Sequence, residues 1–540
     1  MHHALQLDEV FRHIVDSGLN KKDLVTVATI CRAWSEPALD KLWETLDSFV
    51  PLISTLPSDL VQKKTHYIPK PADWIDLLLP GTPRVAYTFA RYPHDSEWTT
   101  LCNYASRVRY FRGPYKHPIR RRRDQSSVPV NAVDTYTLYI LSRSPRLLFP
   151  KLQKIGWNHA AVENIYILRV LAGPIVNQLH LPSITQMTST RNTGTNNYGL
   201  PEHEDFRDAF AVISSLGTLF PSLRSLTLMH YTFHDTEVTS AIWDAIRHWK
   251  YLSALSCRII DGSSLKCLGR LSSMQKLALH LHENSFSACS PGFNISLPHL
   301  QNVRLVGAYP EITRMVDAWG PHISLKEFES IVEHGDRIPA AADLSSLLNL
   351  LAKNCDSNTL ESLTVYEHPV LTNHYITFST LQPTLSFRQL TAISIDTCRS
   401  VSLSDGELAS LASACPKART IRINPRYGWI IPSKITLLGL AEVLQLLPLL
   451  EDLALAIDAR TPPSPISPDD EKSINVGHTF LKKLDLTDSK VGRNHDQVAS
   501  WFSQLILFPG GCKFSIRIPH ENPGDWTHIF RLLQSGRENA

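Results

Sequence analysis

A six-residue pattern, apolar at its first, fourth and sixth positions, recurs along the chain and restricts its fold more than any other feature. Clear copies are Leu223-x-x-Leu226-x-Leu228, Met274-x-x-Leu277-x-Leu279, Leu300-x-x-Val303-x-Leu305 and Leu360-x-x-Leu363-x-Val365. Leu390-x-x-Ile393-x-Ile395, Leu450-x-x-Leu453-x-Leu455 and Leu481-x-x-Leu484-x-Leu486 continue the series, and weaker copies start at Leu152, Val176, Leu252, Leu325 and Ala418. From Leu223 to Leu481 the starts lie 22 to 35 residues apart. The fourth and sixth positions alternate as in a strand facing one core. Helical stripes lie between the copies: Ile242, Ala245, Ile246 and Trp249; Leu344, Leu347, Leu348 and Leu351; and Leu408, Leu411, Ala412 and Cys415 behind the capping box Ser404-Asp405-Gly406-Glu407. A chain of 540 residues is too long for one compact core, whereas a solenoid grows by stacking.

Strand plus helix at this period resembles leucine-rich repeats, which implies parallel strands on a concave face and helices outside. The ninth position of that family's repeat usually holds Asn or Cys. Here it is Tyr231, His282, Ala308, His368, Cys398, Asp458 and Ser489, and of these Cys398 fits best, so the repeats are divergent. The proline-rich segment 461–470 reads as a projecting loop. In such a horseshoe, Arg258, His280, Arg304, Glu329, Tyr366, Asp396, Arg422 and Asn424 face the concave side as candidate target-binding residues. Their mixed charge and aromatic content suit a protein ligand rather than nucleic acid.

The N-terminus follows a different period. Leu7, Val10, Phe11, Ile14 and Val15 share one helical face, and Gly18 is placed to cap its C-terminal end. Asn20 is placed to cap a second helix with the stripe Leu24, Val27, Ala28 and Cys31. Ser35 is expected to cap a third, with Pro37 in its first turn and the stripe Leu39, Leu42, Trp43 and Leu46. So small a bundle cannot bury all this apolar surface alone. It either shares its core with another protein or caps the domain that follows.

The stretch from Ala4 to Ile14 resembles the opening of fungal F-box domains, Leu24 and Cys31-Arg32-Ala33-Trp34 resemble the middle, and Ser35 to Trp43 resembles the end. Asp8 stands where that family usually has a proline. The resemblance implies docking onto a Skp-type adaptor, and through it a cullin ubiquitin ligase. Its implied adaptor-binding residues are Leu5, Leu7, Glu9, Val10, Ile14, Leu24, Val27, Ile30, Cys31, Trp34, Leu39, Leu42 and Trp43.

Residues 49–145 are expected to be a helical spacer, with short helices over 73–79 and 97–111. Arg120 to Arg123 form the one strong charge run, read as a solvated loop rather than as a localisation signal or phosphate-binding loop. A net charge of +3 implies no global pull toward nucleic acid or membrane. No stretch is apolar and long enough to span a bilayer, and no signal peptide is read at the start. Nine scattered cysteines without a CxxC pair point to free thiols in cytosol or nucleus. No phosphate-binding loop, GxSxG elbow or HExxH motif occurs, and His280 with His282 lacks a third convergent ligand.

The reading is therefore an α/β chain: an F-box helical module over 1–48, a helical spacer over 49–145, and an irregular leucine-rich-repeat solenoid over 146–540. It is expected to be a non-enzymatic substrate-recognition adaptor of an SCF-type ubiquitin ligase, with a Skp-type adaptor, the cullin complex and a protein target as partners. No cofactor, metal, membrane or nucleic acid is expected. The alternative is a non-catalytic repeat scaffold without a ligase role.

Overall fold

The computed structural model describes residues 8–68, 82–112, 130–156, 167–181, 211–228, 236–259, 262–283, 285–286, 289, 293–333, 340–369, 373–463, 478, 480–486, 488–505, 515–517 and 523–538. The chain forms two compact units, Met1–Cys257 and Arg258–Ala540.

The first unit opens with α1 (Asp8–Asp16), α2 (Lys21–Ile30) and α3 (Arg32–Trp43). Phe11, Val15 and Leu24 form their buried core, with Leu19, Val27, Trp34 and Leu42 packed around it. Gly18 turns the chain at φ 125°, a left-handed angle that residues with a Cβ avoid. Asn20 caps α2 as its sequence position implies, accepting from the Lys22 and Asp23 N–H groups at 2.9 and 3.1 Å. The third helix departs from the sequence reading. It begins at Arg32, after the single extended residue Cys31, which places Ser35 inside the helix and Pro37 beyond its first turn. Pro37 and Ala38 are buried there.

Parallel strands follow in chain order: Thr45–Leu46, Tyr110–Arg112, Lys154–Gly156, Gln178–Leu181, Ser225–Leu228 and Ala254–Ile259. The array thus starts within what reads as module and spacer. Its early copy is hard to see because Val108 and Phe111 fill the first and fourth pattern positions while Gly113 holds the sixth. Where helices alone were expected, Val61–Ile68 and Thr82–Phe89 pair antiparallel, and the latter pairs with Val130–Val133. The helix expected over 97–111 is Asp95–Ala105. The segment expected as a helix over 73–79 lies outside the described residues, as does the Arg120–Arg123 run.

In the second unit, Lys276–Leu281, Asn302–Gly307, Glu327–Val332, Ser362–Glu367, Ala392–Asp396, Thr420–Ile423, Asp452–Ala454, Lys483–Asp485 and Ser515–Arg517 lie side by side, all parallel. The fourth pattern positions are in register: Leu277, Val303, Phe328, Leu363, Ile393, Ile421, Leu453 and Leu484. All eight are buried, so the sequence pattern marks the core of the stack. A second ladder, in two separate two-stranded pieces, pairs Tyr375–Thr377 with Ser400–Ser402 and Asp458–Ala459 with Lys490–Val491. Helices follow it; Asp405–Ala414 starts at the expected capping box, with the Ser404 N–H donating to Glu407 at 2.7 Å.

Polar side chains hold the turns between the two ladders. Ser489, at a ninth position, accepts from the Ile457 N–H at 2.8 Å. Asn424, two places earlier in its own repeat, accepts from the Thr397 N–H at 2.9 Å and donates to the Arg399 carbonyl at 2.7 Å. Beneath lies a buried network. Arg399 meets Glu367 at 3.0 Å, Tyr309 donates to the same carboxylate, and Arg399 also donates to the carbonyls of Ala341 and Ala340 at 2.9 and 3.1 Å. Burial and the Glu367 charge push the Tyr309 hydroxyl pKa well up.

Candidate functional site

Two surfaces, one in each unit, carry the candidate residues. On the helical module, α3 is tied to its own unit. Arg107 bridges Glu36 at 2.8 Å and also binds Asp40, Lys41 meets Asp16 and Glu44 at 2.9 Å each, and Trp43 packs on Tyr104 at 4.9 Å. The other two helices leave apolar side chains in solvent: Val10 and Ile14 at 38% each, Val25 at 51% and Ile30 at 55%. Val10 and Ile14 are one turn apart on α1 and so form a continuous apolar strip. Completing the burial of four such aliphatic groups is worth roughly 1 kcal/mol each.

Of the residues the F-box resemblance singles out, Glu9, Val10, Ile14 and Ile30 are exposed; Val27, Cys31, Trp34, Leu39, Leu42 and Trp43 are half-buried; Leu24 is buried. Leu5 and Leu7 lie outside the described residues. Trp34 stacks on Phe11 with ring centroids 4.9 Å apart, so its indole also holds the module together. Val25 was missed because it lies off the stripe that defines the helix's inner face.

In the second unit, alternate strand positions face away from the core. Arg304 and Glu329 are adjacent in register and lie 3.6 Å apart as an ion pair. Arg422 binds Asp452 at 2.6 Å and approaches Asp485 at 3.6 Å. His280 reaches Glu333 at 3.2 Å, and His368 approaches the same carboxylate at 3.9 Å. The His280 hydrogen bond holds the Glu333 carboxyl below its usual range against the opposing effect of burial. Burial lowers the pKa of half-buried Arg258, with Glu333 acting in the opposite sense. Asp396 is buried, and that desolvation raises its pKa.

Asn424 does not belong to this surface. Its side chain turns inward to serve two backbone groups, because the strand ends at Ile423 and the backbone enters the left-handed region at φ 50°. What the strand alternation misses is the loop that follows. Arg426 lies over the Tyr366 ring at 5.0 Å, and the Tyr427 and Tyr366 hydroxyls meet at 2.8 Å. Burial and the Tyr366 hydrogen bond raise the Tyr427 pKa. His368 packs edge-on to Tyr366 at 5.4 Å. Loop residues 424–431 contain three left-handed angles: Asn424 at 50°, Gly428 at 76° and Ile430 at 65°. A β-branched side chain at such an angle costs on the order of 1–3 kcal/mol. The Arg426-Tyr427-Gly428-Trp429 run, aromatic residues around a glycine, was the available sequence signal.

Among the described residues no group of three or more His, Cys, Asp or Glu side chains is arranged to hold a metal ion. Likewise, no described helix is long and apolar enough to cross a membrane. No protein-family model matches the chain, and no curated protein matches it. A solved structure described as the crystal structure of Rad7 and Elc1 complex in yeast is similar at a TM-score of 0.34 and 11% identity, over 90% of this chain and 89% of that one.

Proposed function

We propose that the chain is the substrate-recognition subunit of an SCF-type ubiquitin ligase, with no catalytic role of its own. α1 and α2 dock on a Skp-type adaptor, the adaptor connects to a cullin, and the outward face of the second unit's sheet selects a protein target. The observation that carries this reading is the exposed strip of Val10 and Ile14 on α1, with Val25 and Ile30 also exposed on α2, in a module whose third helix is already anchored. Exposed aliphatic side chains gain free energy when a partner covers them. The F-box-like run Cys31-Arg32-Ala33-Trp34 at the α2–α3 junction supports the choice of partner. Cys31, Cys102, Cys355 and Cys415 are free thiols, which suits the cytosol or nucleus where such ligases act.

The test is co-expression with a Skp-type adaptor. The wild-type chain is expected to co-purify with it, and Ile14→Glu combined with Ile30→Glu is expected to abolish capture while the circular dichroism spectrum stays unchanged. A folded wild-type chain that retains no adaptor overturns the reading. Trp34→Ala is a poorer probe, since it also removes the stacking on Phe11.

A further inference from the structure

The proline-rich segment that reads as a projecting loop begins at a fixed point. The strand Asp458–Ala459, paired with Lys490–Val491, delivers the chain to it. Arg460 is then pinned. Its backbone N–H donates to the Asp458 carboxylate at 3.1 Å, and its guanidinium grips the same carboxylate at 2.9 and 2.5 Å. A Cβ at position 492 would collide with the Arg460 carbonyl, so the glycine there lets the end of the neighbouring strand lie close. Thr461 comes next. It is exposed, and its hydroxyl makes no hydrogen bond among the described residues.

Pro462 and Pro463 have no N–H, so the chain cannot go on pairing in the ladder, and Pro462 disfavours helical backbone at Thr461. An exposed hydroxyl residue held outside helix and strand, directly before a proline, is the acceptor that a proline-directed protein kinase takes. Such a kinase closes an apolar pocket on the following residue, and proline fits there because it brings no N–H to leave unbonded. The hydroxyl–proline pair recurs in the sequence at Ser464-Pro465 and Ser467-Pro468, which lie outside the described residues and are no part of the site. Arg460 supplies a cation for the product. Its side chain is 55% exposed whereas Asp458 is 22% exposed, so the guanidinium is free to turn outward. Lys490, opposite Asp458 in register, is a second cation acting on that carboxylate.

We propose that Thr461 is the acceptor of a proline-directed protein kinase, and that its phosphate draws Arg460 away from Asp458 at the end of the second ladder. The Thr461 hydroxyl oxygen attacks the γ-phosphorus of ATP. The new O–P bond forms as the bond to the β–γ bridging oxygen breaks, ADP leaves with that electron pair, and the hydroxyl proton passes to a carboxylate base of the kinase. The added dianion sits one residue from a guanidinium suited to bind it in fork geometry.

The experiment treats the full chain with magnesium ATP and a proline-directed serine/threonine kinase, with a kinase selective for basic sequences as comparison, and maps the phosphate by mass spectrometry. Phosphate is expected on Thr461, and Pro462→Ala should cut incorporation there about tenfold with an unchanged circular dichroism spectrum. A chain carrying Ser464→Ala and Ser467→Ala should still be labelled at Thr461. In that chain the phosphorus NMR signal should titrate below the ordinary value of about 6 and return toward it when Arg460→Gln is added. Thr461 left unlabelled, equal labelling of the Pro462→Ala chain, or better labelling by the kinase for basic sequences would overturn the proposal. Coincident titrations with and without Arg460→Gln would overturn the role given to Arg460. None of these readouts involves adaptor capture, so the result stands apart from the ligase reading.

Discussion

The module at 8–43 and the loop at 424–431 both present side chains to solvent, by opposite means. The module exposes aliphatic groups on ordinary helical backbone, and packing within the chain does little to constrain their identity. The loop exposes charged and aromatic groups on backbone held at costly angles by Trp429, Gly428 and Asp488. A surface of the first kind gives affinity through apolar area and tolerates exchange of one aliphatic side chain for another. One of the second kind gives selectivity through fixed geometry, and its supporting residues matter as much as those it displays.

The largest expected effect separates the loop from its scaffold. Arg399→Ala strands the Glu367 carboxylate in the interior and should destabilise the second unit by about 3–5 kcal/mol in urea unfolding. Adaptor capture should persist, since the module lies in the other unit. Phe11→Ala breaks the module from within, at about 3 kcal/mol, and should abolish capture while the urea unfolding of the second unit stays unchanged. Ile430→Gly sharpens the contrast. It should raise stability by about 1 kcal/mol in urea unfolding through relief of the left-handed angle. An equivalent change on the module, Val10→Ser, should leave stability nearly unchanged.

The smallest effect is a pH dependence. Burial depresses the His478 pKa below its usual 6.5, and its Nδ1 makes no hydrogen bond among the described residues. The unfolded chain therefore binds the proton more readily than the folded one. This contribution is complete above the unfolded value and is lost as pH falls through 6.5 toward the depressed folded value. Unfolding midpoints measured between neutral pH and mildly acidic pH should fall in wild type more than in His478→Gln.

The strand stack was legible because its core positions repeat chemically: every Leu-x-x-Leu-x-Leu places two side chains on one face. Val108 and Phe111 were not legible, since glycine at the sixth position silences the pattern. Asn424 was misplaced because alternation was extended one residue past the end of its strand, where the backbone turns left-handed. The start of α3 was misread because Ser35 resembles a cap, while the chain re-enters helix after the single residue Cys31. The 424–431 loop shows in sequence only as composition. What makes it a surface is Asp488, some sixty positions away from the residues it holds.

A stack in which each strand touches only its chain neighbours behaves, in mechanical terms, like a zipper that opens one tooth at a time. The Tyr309–Glu367–Arg399 network changes that locally. Its members come from separate repeats, and Arg399 also clasps the backbone at Ala340 and Ala341. Pulled from one end, the repeats between Tyr309 and Arg399 should resist as a block and yield together, giving the array a rivet in its middle.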